Sequence, residues 1–194
     1  MHPATPFSSH IDGGYYTATP RTRVKPCPPQ RQQGLTLIEL IVVIAVLAII
    51  TTVGIPNFQQ FTARNEVAAE VMKLKSALSM AQTHAIMKRS TVTLCPSADR
   101  TSCSNGDWSL PLLVIHGRAE SGDINGEILR HFNPGRVESV TYRNDNRPIR
   151  YGRLGRPAGH NGTLRICGRM GTGASVIVSN FGRVRVVSGR PSEC

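Results

Sequence analysis

The sequence lacks the short motifs by which most enzymes and metal sites are detected. It contains no HExxH and no glycine-rich phosphate loop, and His84, His116 and His160 have no carboxylate or nucleophile at motif spacing. Its cysteines form no CxxC pair and no zinc-type histidine pair follows them. We therefore expect a protein that is not an enzyme and that needs neither a cofactor nor a metal.

Acidic side chains are scarce as well. The 194 residues carry 23 Lys and Arg against 12 Asp and Glu, a formal net charge of +11. The excess is regional, because residues 147–194 hold nine Arg and one Glu whereas residues 91–146 hold five basic and seven acidic side chains. This asymmetry favours a polyanionic partner.

Charge is almost absent from residues 35–55, an apolar run whose only charged side chain is Glu39. About 20 apolar residues can cross a bilayer. No Ala-x-Ala cleavage site interrupts the run, so we expect an anchor and not a discarded secretory signal. Basic residues precede it: Arg21, Arg23, Lys25 and Arg31. Basic flanks of a first span stay in the cytoplasm, which predicts that the rest of the chain faces outward.

The apolar run ends at Pro56, where we expect a kink or local melting because proline removes a backbone hydrogen bond. From Val67 to Ala85 apolar residues recur every three or four positions, which predicts an amphipathic helix over residues 63–90 whose apolar face covers a sheet. The charged residues assigned to the opposite, polar face are Glu66, Glu70, Lys73, Lys75, Lys88 and Arg89. The methionines are expected to pack: Met72, Met80 and Met87.

Residues 91–194 contain short strand-like runs bounded by Gly, Pro, Asn and Asp. The predicted strands are 91–95, 112–115, 137–142, 163–167, 174–179 and 183–187, and residues 147–162 are predicted to form an exposed loop. The predicted fold class is α+β: a long N-terminal helix, transmembrane and then amphipathic, packed on a small antiparallel β-sheet domain.

Four of the five cysteines follow the apolar run, and Cys27 precedes it. The four are Cys95, Cys103, Cys167 and Cys194. Outside the cytoplasm this even set can oxidise, and pairing of sequence neighbours is the simplest of its three connectivities.

The start of the apolar run resembles a known processing signal. Residues 34–39, Gly-Leu-Thr-Leu-Ile-Glu, are similar to the class III signal of type IV pilins and type II secretion pseudopilins. The resemblance implies that a prepilin peptidase cuts between Gly34 and Leu35, that Leu35 is N-methylated although the family usually has Phe there, and that Glu39 aids subunit assembly. A buried Glu39 would then pair with the α-amino group of a neighbouring subunit; the alternative is a carboxylate that reaches the headgroups. A start at Val24 would leave a leader of the usual length.

A second resemblance extends the similarity to residues 34–194. Residues 91–97, Thr-Val-Thr-Leu-Cys-Pro-Ser, followed by Cys103 and Trp108, are similar to GspH/FimT-type minor pilins and pseudopilins. The resemblance implies a type IV pilin-like fold. We expect Trp108 to pack in the core or against a loop, with a binding role as the alternative.

The motif Gly182-Arg183-Val184-Arg185 follows a predicted hairpin turn at residues 179–182. Strand alternation predicts that Val184 faces the core while Arg183 and Arg185 share the other face. Two neighbouring guanidiniums can bind successive phosphates bidentately. Three more arginines are predicted to widen the patch: Arg165, Arg169 and Arg190. The alternative is a solvated strand face, and Phe181 either packs in the turn or stacks on a base.

The arginine motif also resembles the GRxR signature of FimT-like minor pilins that bind DNA in natural transformation. The resemblance implies a type IV pilus minor pilin that captures double-stranded DNA and whose other partners are major and minor pilins, prepilin peptidase and the inner membrane. The expected location is a single pass in the inner membrane with a periplasmic C-terminal domain, and then the extracellular pilus. Two alternatives are a structural GspH-like pseudopilin of a type II secretion system and an adhesin-like pilin for anionic polymers.

Overall fold

The computed structural model describes residues 34–194 except Asn105, Asn144, Asn146 and Ala158. Residues 1–33, with the expected leader, Cys27 and the flanking basic residues, lie outside the described part. The chain divides into two compact units, one that ends at Ile41 and one that begins at Val42.

The first unit contains the start of helix α1, Leu37–Met87. The hydroxyl of Thr36 accepts a hydrogen bond from the backbone N–H of Glu39 at 3.3 Å. Thr36 therefore caps the first turn, and Thr-x-x-Glu is the sequence pattern of such a cap. A local helix signal thus coincides with the expected processing signal.

The apolar part of α1 is long and apolar enough to cross a membrane, and its side chains are exposed. The prediction of local melting at Pro56 is wrong, because α1 continues through this residue. The Thr52 hydroxyl donates to the carbonyl of Ile49 at 2.9 Å, and the Asn57 side-chain amide donates to the carbonyl of Val53 at 2.9 Å. These bonds reinforce the helix around the proline.

The second half of α1 buries one face, as its spacing predicts. The buried residues are Ala63, Val67, Glu70, Leu74, Ala77, Leu78, Ala81 and Ala85. The polar assignment of Glu70 is wrong: it is 2% exposed and pairs with Lys73 at 2.7 Å. Burial raises the pKa of the Glu70 carboxyl, and Lys73 opposes this rise. Met80 packs on the core, but Met72 and Met87 are exposed, contrary to expectation.

Helix α1 ends in a Schellman motif. The N–H of Ser90 donates to the carbonyl of Ala85 at 3.2 Å, and the N–H of Arg89 donates to that of Ile86 at 3.3 Å. Arg89 has a φ of 46°, in the left-handed region that the motif requires. We call this end of α1 the distal end, and the part around Glu66 the proximal end.

In the described part of the chain, eight strands form two antiparallel sheets. The strands are β1 Val92–Pro96, β2 Leu112–Glu120, β3 Asp123–Phe132, β4 Ser139–Tyr142, β5 Ile149–Tyr151, β6 Gly162–Cys167, β7 Gly173–Val178 and β8 Val184–Ser188. The first sheet has the order β3-β2-β1-β5 and the second the order β4-β6-β7-β8. The sequence predicted neither β3 nor β5, and β5 lies within the stretch predicted to be an exposed loop.

The main core lies between α1 and the inner faces of both sheets. Trp108 is 2% exposed there and meets Tyr142 edge to face, with ring centroids 5.1 Å apart. Trp108 is thus a packing residue. A smaller core, which includes Leu113 and Ile115, covers the other face of the first sheet.

The two disulfides among the described cysteines join neighbours in sequence, Cys95 to Cys103 and Cys167 to Cys194. The first closes a loop that is organised by Asp99. Hydrogen bonds from Thr101 and Ser102 hold the pKa of the Asp99 carboxyl well below its ordinary value. The second joins the end of β6 to the last residue of the chain.

Candidate nucleic-acid interface

The candidate site is built on the turn between β7 and β8, residues 179–183. Val178 pairs with Val184, so the five residues between them form the loop of a hairpin. The Ser179 N–H donates to the carbonyl of Arg183 at 3.0 Å, and the Ser179 hydroxyl accepts from the N–H of Arg183 at 3.1 Å. The backbone at Arg183 is therefore held at both its N–H and its carbonyl.

Gly182 fixes the position of this turn against the rest of the domain. It is buried and has a φ of 81°, a conformation that favours glycine. A Cβ atom at this position would collide with the carbonyl oxygen of Gly155 and the side-chain amide of Gln82. That amide itself donates to the Gly155 carbonyl at 3.0 Å. The glycine of the motif thus lets the turn dock on the distal part of α1.

Arg183 and Arg185 are both exposed, whereas Val184 and Val186 between and beside them pack partly on the core. This is the alternation that the sequence predicted. Among the described residues, neither guanidinium takes part in an ion pair or a side-chain hydrogen bond. Both are therefore available to an external anion.

The structure separates Arg169 and Arg190 from this turn. Arg169 lies at the opposite end of β7 and binds Glu66 through two guanidinium nitrogens, with a shortest distance of 2.7 Å. The Arg190 guanidinium donates to the carbonyl of Cys194 at 2.7 Å. Glu66 and Gln82 are 16 residues apart on α1, so about 24 Å separates the two ends. The expectation that these arginines widen one patch is wrong.

Arg165 shares the outer face of the second sheet with Arg185. It lies opposite Ser175 on β7, which in turn lies opposite Val187 on β8. Its Nε is 2.9 Å from Oε2 of Glu193. Arg165 is thus partly neutralised and two strands away from Arg185, about 10 Å across the sheet.

Sequence reasoning missed Lys75 and Arg156 as neighbours of the turn. Lys75 lines a cleft with Phe181 and Arg183. The Arg156 guanidinium lies 5.4 Å from the centroid of the Phe181 ring. The spacing of Lys75, Ser79 and Gln82 on α1 was the available signal, because side chains four and three apart share one helix face.

The expected processing residues lie at the start of the described chain. Gly34 and Leu35 are exposed and directly precede the Thr36 cap of α1. Glu39 is exposed in the first turn of the helix.

Two family models match the chain. The first, described as "Type II transport protein GspH", matches residues 70–182, and the second, described as "Prokaryotic N-terminal methylation motif", matches residues 29–55. The second match includes Gly34, Leu35 and Glu39. The first ends one residue before Arg183, so the arginine pair lies just outside it.

The relatives include pilins. A "Fimbrial protein" of Pseudomonas aeruginosa is 33% identical over 89 residues, 46% of this chain and 57% of that protein. "Type IV major pilin protein PilE1" of Neisseria gonorrhoeae is 44% identical over 41 residues, 21% of this chain and 25% of that protein. The matched part thus spans just over half the length of the first relative and a quarter of the second.

A crystal structure of the type IV minor pilin FimU of Pseudomonas aeruginosa has the same fold. Its TM-score is 0.51 at 24% identity, over 69% of this chain and 95% of that one. The predicted fold class is confirmed.

A methylation motif at the start of a long apolar helix, packed further on against antiparallel sheets, defines a pilin-like protein. The GspH model matches more than half of the chain, and the chain belongs to the GspH family.

Proposed function

We propose that this protein is a minor pilin of a type IV pilus that binds extracellular double-stranded DNA for uptake in natural transformation. The observation that carries the proposal is the contrast among its arginines. Arg183 and Arg185 project unpaired from a rigidly held turn at the distal end, whereas Arg165 and Arg169 are engaged by carboxylates. Unpaired guanidiniums on a fixed backbone suit phosphate binding.

The mode of binding follows from this chemistry. Phosphates are the same at every base pair, so contacts from Arg183 and Arg185 provide affinity without sequence preference. Such binding weakens steeply with salt because each contact releases condensed counterions. A protein that must capture any DNA fragment needs this kind of interaction.

We also propose the route by which the protein reaches a filament. Residues 1–34 form a cytoplasmic leader that prepilin peptidase removes after Gly34, and Leu35 is then N-methylated. Residues 35–62 anchor the chain in the inner membrane and later assemble with other pilins, where Glu39 pairs with a neighbouring α-amino group. Residues 63–90 continue as the amphipathic half of α1, and residues 91–194 form the periplasmic domain.

The test is a salt titration of DNA binding by the full processed chain in detergent micelles. Fluorescence anisotropy with a blunt duplex should give an affinity that falls with salt. Arg183→Gln combined with Arg185→Gln should lower that affinity about 10-fold or more and reduce the slope of log K against log salt by about 2. The matched control is Arg169→Gln with Arg190→Gln, which removes the same charge from the proximal end and should leave most of the affinity.

Equal affinities of the two double variants would place DNA binding elsewhere and contradict the proposed site. Heparin competing as well as DNA would favour an adhesin-like pilin for anionic polymers.

A second candidate is a structural minor pseudopilin of a type II secretion system that binds no nucleic acid. It is favoured by the family match itself, whose description names a type II transport protein. Absence of duplex binding by the wild-type chain at low salt would support this candidate.

A further inference from the structure

A cleft of ≈ 480 Å³ separates α1 from the turn between β7 and β8. Lys75, Ser79 and Gln82 line its helix side. Phe181 and Arg183 line the side formed by the turn. The cleft thus has a cation on each wall and is within the size range of small-ligand sites. Two cations and a hydroxyl that line one cleft suit the binding of one phosphate group.

The aromatic ring at the edge of this cleft is open to solvent. Phe181 is 71% exposed. It therefore does not pack in the turn, which was one of the two roles expected for it. Arg156 lies over the ring with its guanidinium 5.4 Å from the centroid. The guanidinium can cover only one face of the ring, and the high exposure leaves the other face free. An exposed ring flanked by unpaired cations is typical of surfaces that stack unpaired bases.

We propose that the cleft binds one unpaired nucleotide of a DNA strand, with its phosphate between Lys75 and Arg183 and its base stacked on Phe181. Bases inside a duplex are stacked on each other and only the outer face of the last pair is open, so the ring binds best to an unpaired base at a single-stranded end. The site therefore prefers DNA with a single-stranded overhang to the blunt duplex. This inference rests on the proposed DNA-binding function and names the form of DNA that the same turn selects.

The experiment measures the affinity of the full processed chain in micelles for a blunt duplex and for the same duplex with a short single-stranded overhang. The wild-type protein should bind the overhang DNA about 5-fold more tightly or better, the usual effect of one base stacked on an aromatic side chain. Phe181→Leu should abolish this ratio, because it lowers the affinity for the overhang DNA much more than the affinity for the blunt duplex. Phe181→Tyr keeps the ring and should restore the preference.

The matched control is Leu154→Ala, which removes another highly exposed apolar side chain that does not line the cleft. Its overhang preference should equal that of the wild type. Lys75→Gln should reduce the preference, whereas Lys88→Gln, which removes the same charge outside the cleft, should not.

The two proposals fail in different ways. Equal affinity of the wild-type chain for both DNAs, or a preference that survives Phe181→Leu, would overturn the stacking site and leave duplex binding intact. Failure of the wild-type chain to bind either DNA would overturn both proposals. Since Phe181 is largely exposed, its replacement should not unfold the domain.

Discussion

The two ends of the second sheet use the same residue type for opposite purposes. At the proximal end Arg169 binds Glu66 and Arg190 donates to the carbonyl of Cys194. A disulfide joins Cys194 to Cys167 at the same end. At the distal end Arg183 and Arg185 are exposed, and neither forms an ion pair with another described residue. The regional excess of arginine is therefore not one basic surface, because part of it stabilises the domain and part of it faces outward.

The largest expected effect comes from breaking the proximal end. Replacing Cys167 and Cys194 together by Ser removes a bond between residues 27 apart in sequence, and should lower the free energy of unfolding by roughly 3.5 kcal/mol. Denaturant titration of the variant against the oxidised wild type would measure this loss. Cys95→Ser with Cys103→Ser is the control, because its separation of 8 predicts a smaller loss, roughly 2.5 kcal/mol. Equal losses would mean that loop length does not set the contribution.

Gly182→Ala tests how the distal end is held. The alanine must adopt a φ near 81°, and its Cβ meets the carbonyl oxygen of Gly155. We therefore expect a loss of about 2 kcal/mol in the free energy of unfolding, together with weaker DNA binding. Gly122→Ala is the matched control, since Gly122 has a φ of 80° with no atom within 4 Å of the added Cβ. It should cost about 1 kcal/mol and leave DNA binding unchanged. Identical behaviour of the two variants would show that the contact with Gln82 and Gly155 has no role.

Arg169→Gln is expected to have the smallest effect. The ion pair with Glu66 is bidentate but its arginine is 55% exposed, so its loss should cost about 1 kcal/mol or less. Duplex affinity should stay within about 2-fold of the wild type, because Arg169 lies far from the turn. If Arg169→Gln left stability unchanged but lowered DNA affinity as far as the double Arg183 and Arg185 variant does, the proximal end and not the distal end would be the binding end.

Local patterns were sufficient to predict α1 and six of the eight strands that the described residues form. Strand β3 escaped prediction because Asp123, Asn125 and Gly126 are typical of turns. Gly126 lies opposite Gly117 in the ladder, and a Cβ on either glycine would collide with the backbone of the other strand. A residue that interrupts a strand pattern is here what allows two strands to approach. Only the pairing with β2 reveals this.

The sequence could predict which side chains of the candidate site face outward, but not which distant residues lie beside them. Alternation in β8 was enough to place Arg185 outward and Val184 inward, which the structure shows. Spacing along the chain could not show that Arg169 meets Glu66 across 103 residues, nor that Arg156 meets Phe181. Likewise the charged Glu70 lies on a buried helix face, next to Gly135, where the absence of a side chain leaves room for its carboxylate. Such pairings exist only in the folded chain.

The disulfide between Cys167 and Cys194 also has a mechanical meaning. It joins the two ends of a segment that contains β7, the turn and β8, so Arg183 sits 16 residues from one sulfur and 11 from the other on a covalently closed loop. Tension applied at the turn pulls β7 and β8 in the same direction, so it does not separate these two strands and instead loads the hydrogen bonds between β6 and β7 in shear. A load on the turn is therefore carried by a covalently closed loop whose two strands are fixed to each other behind it.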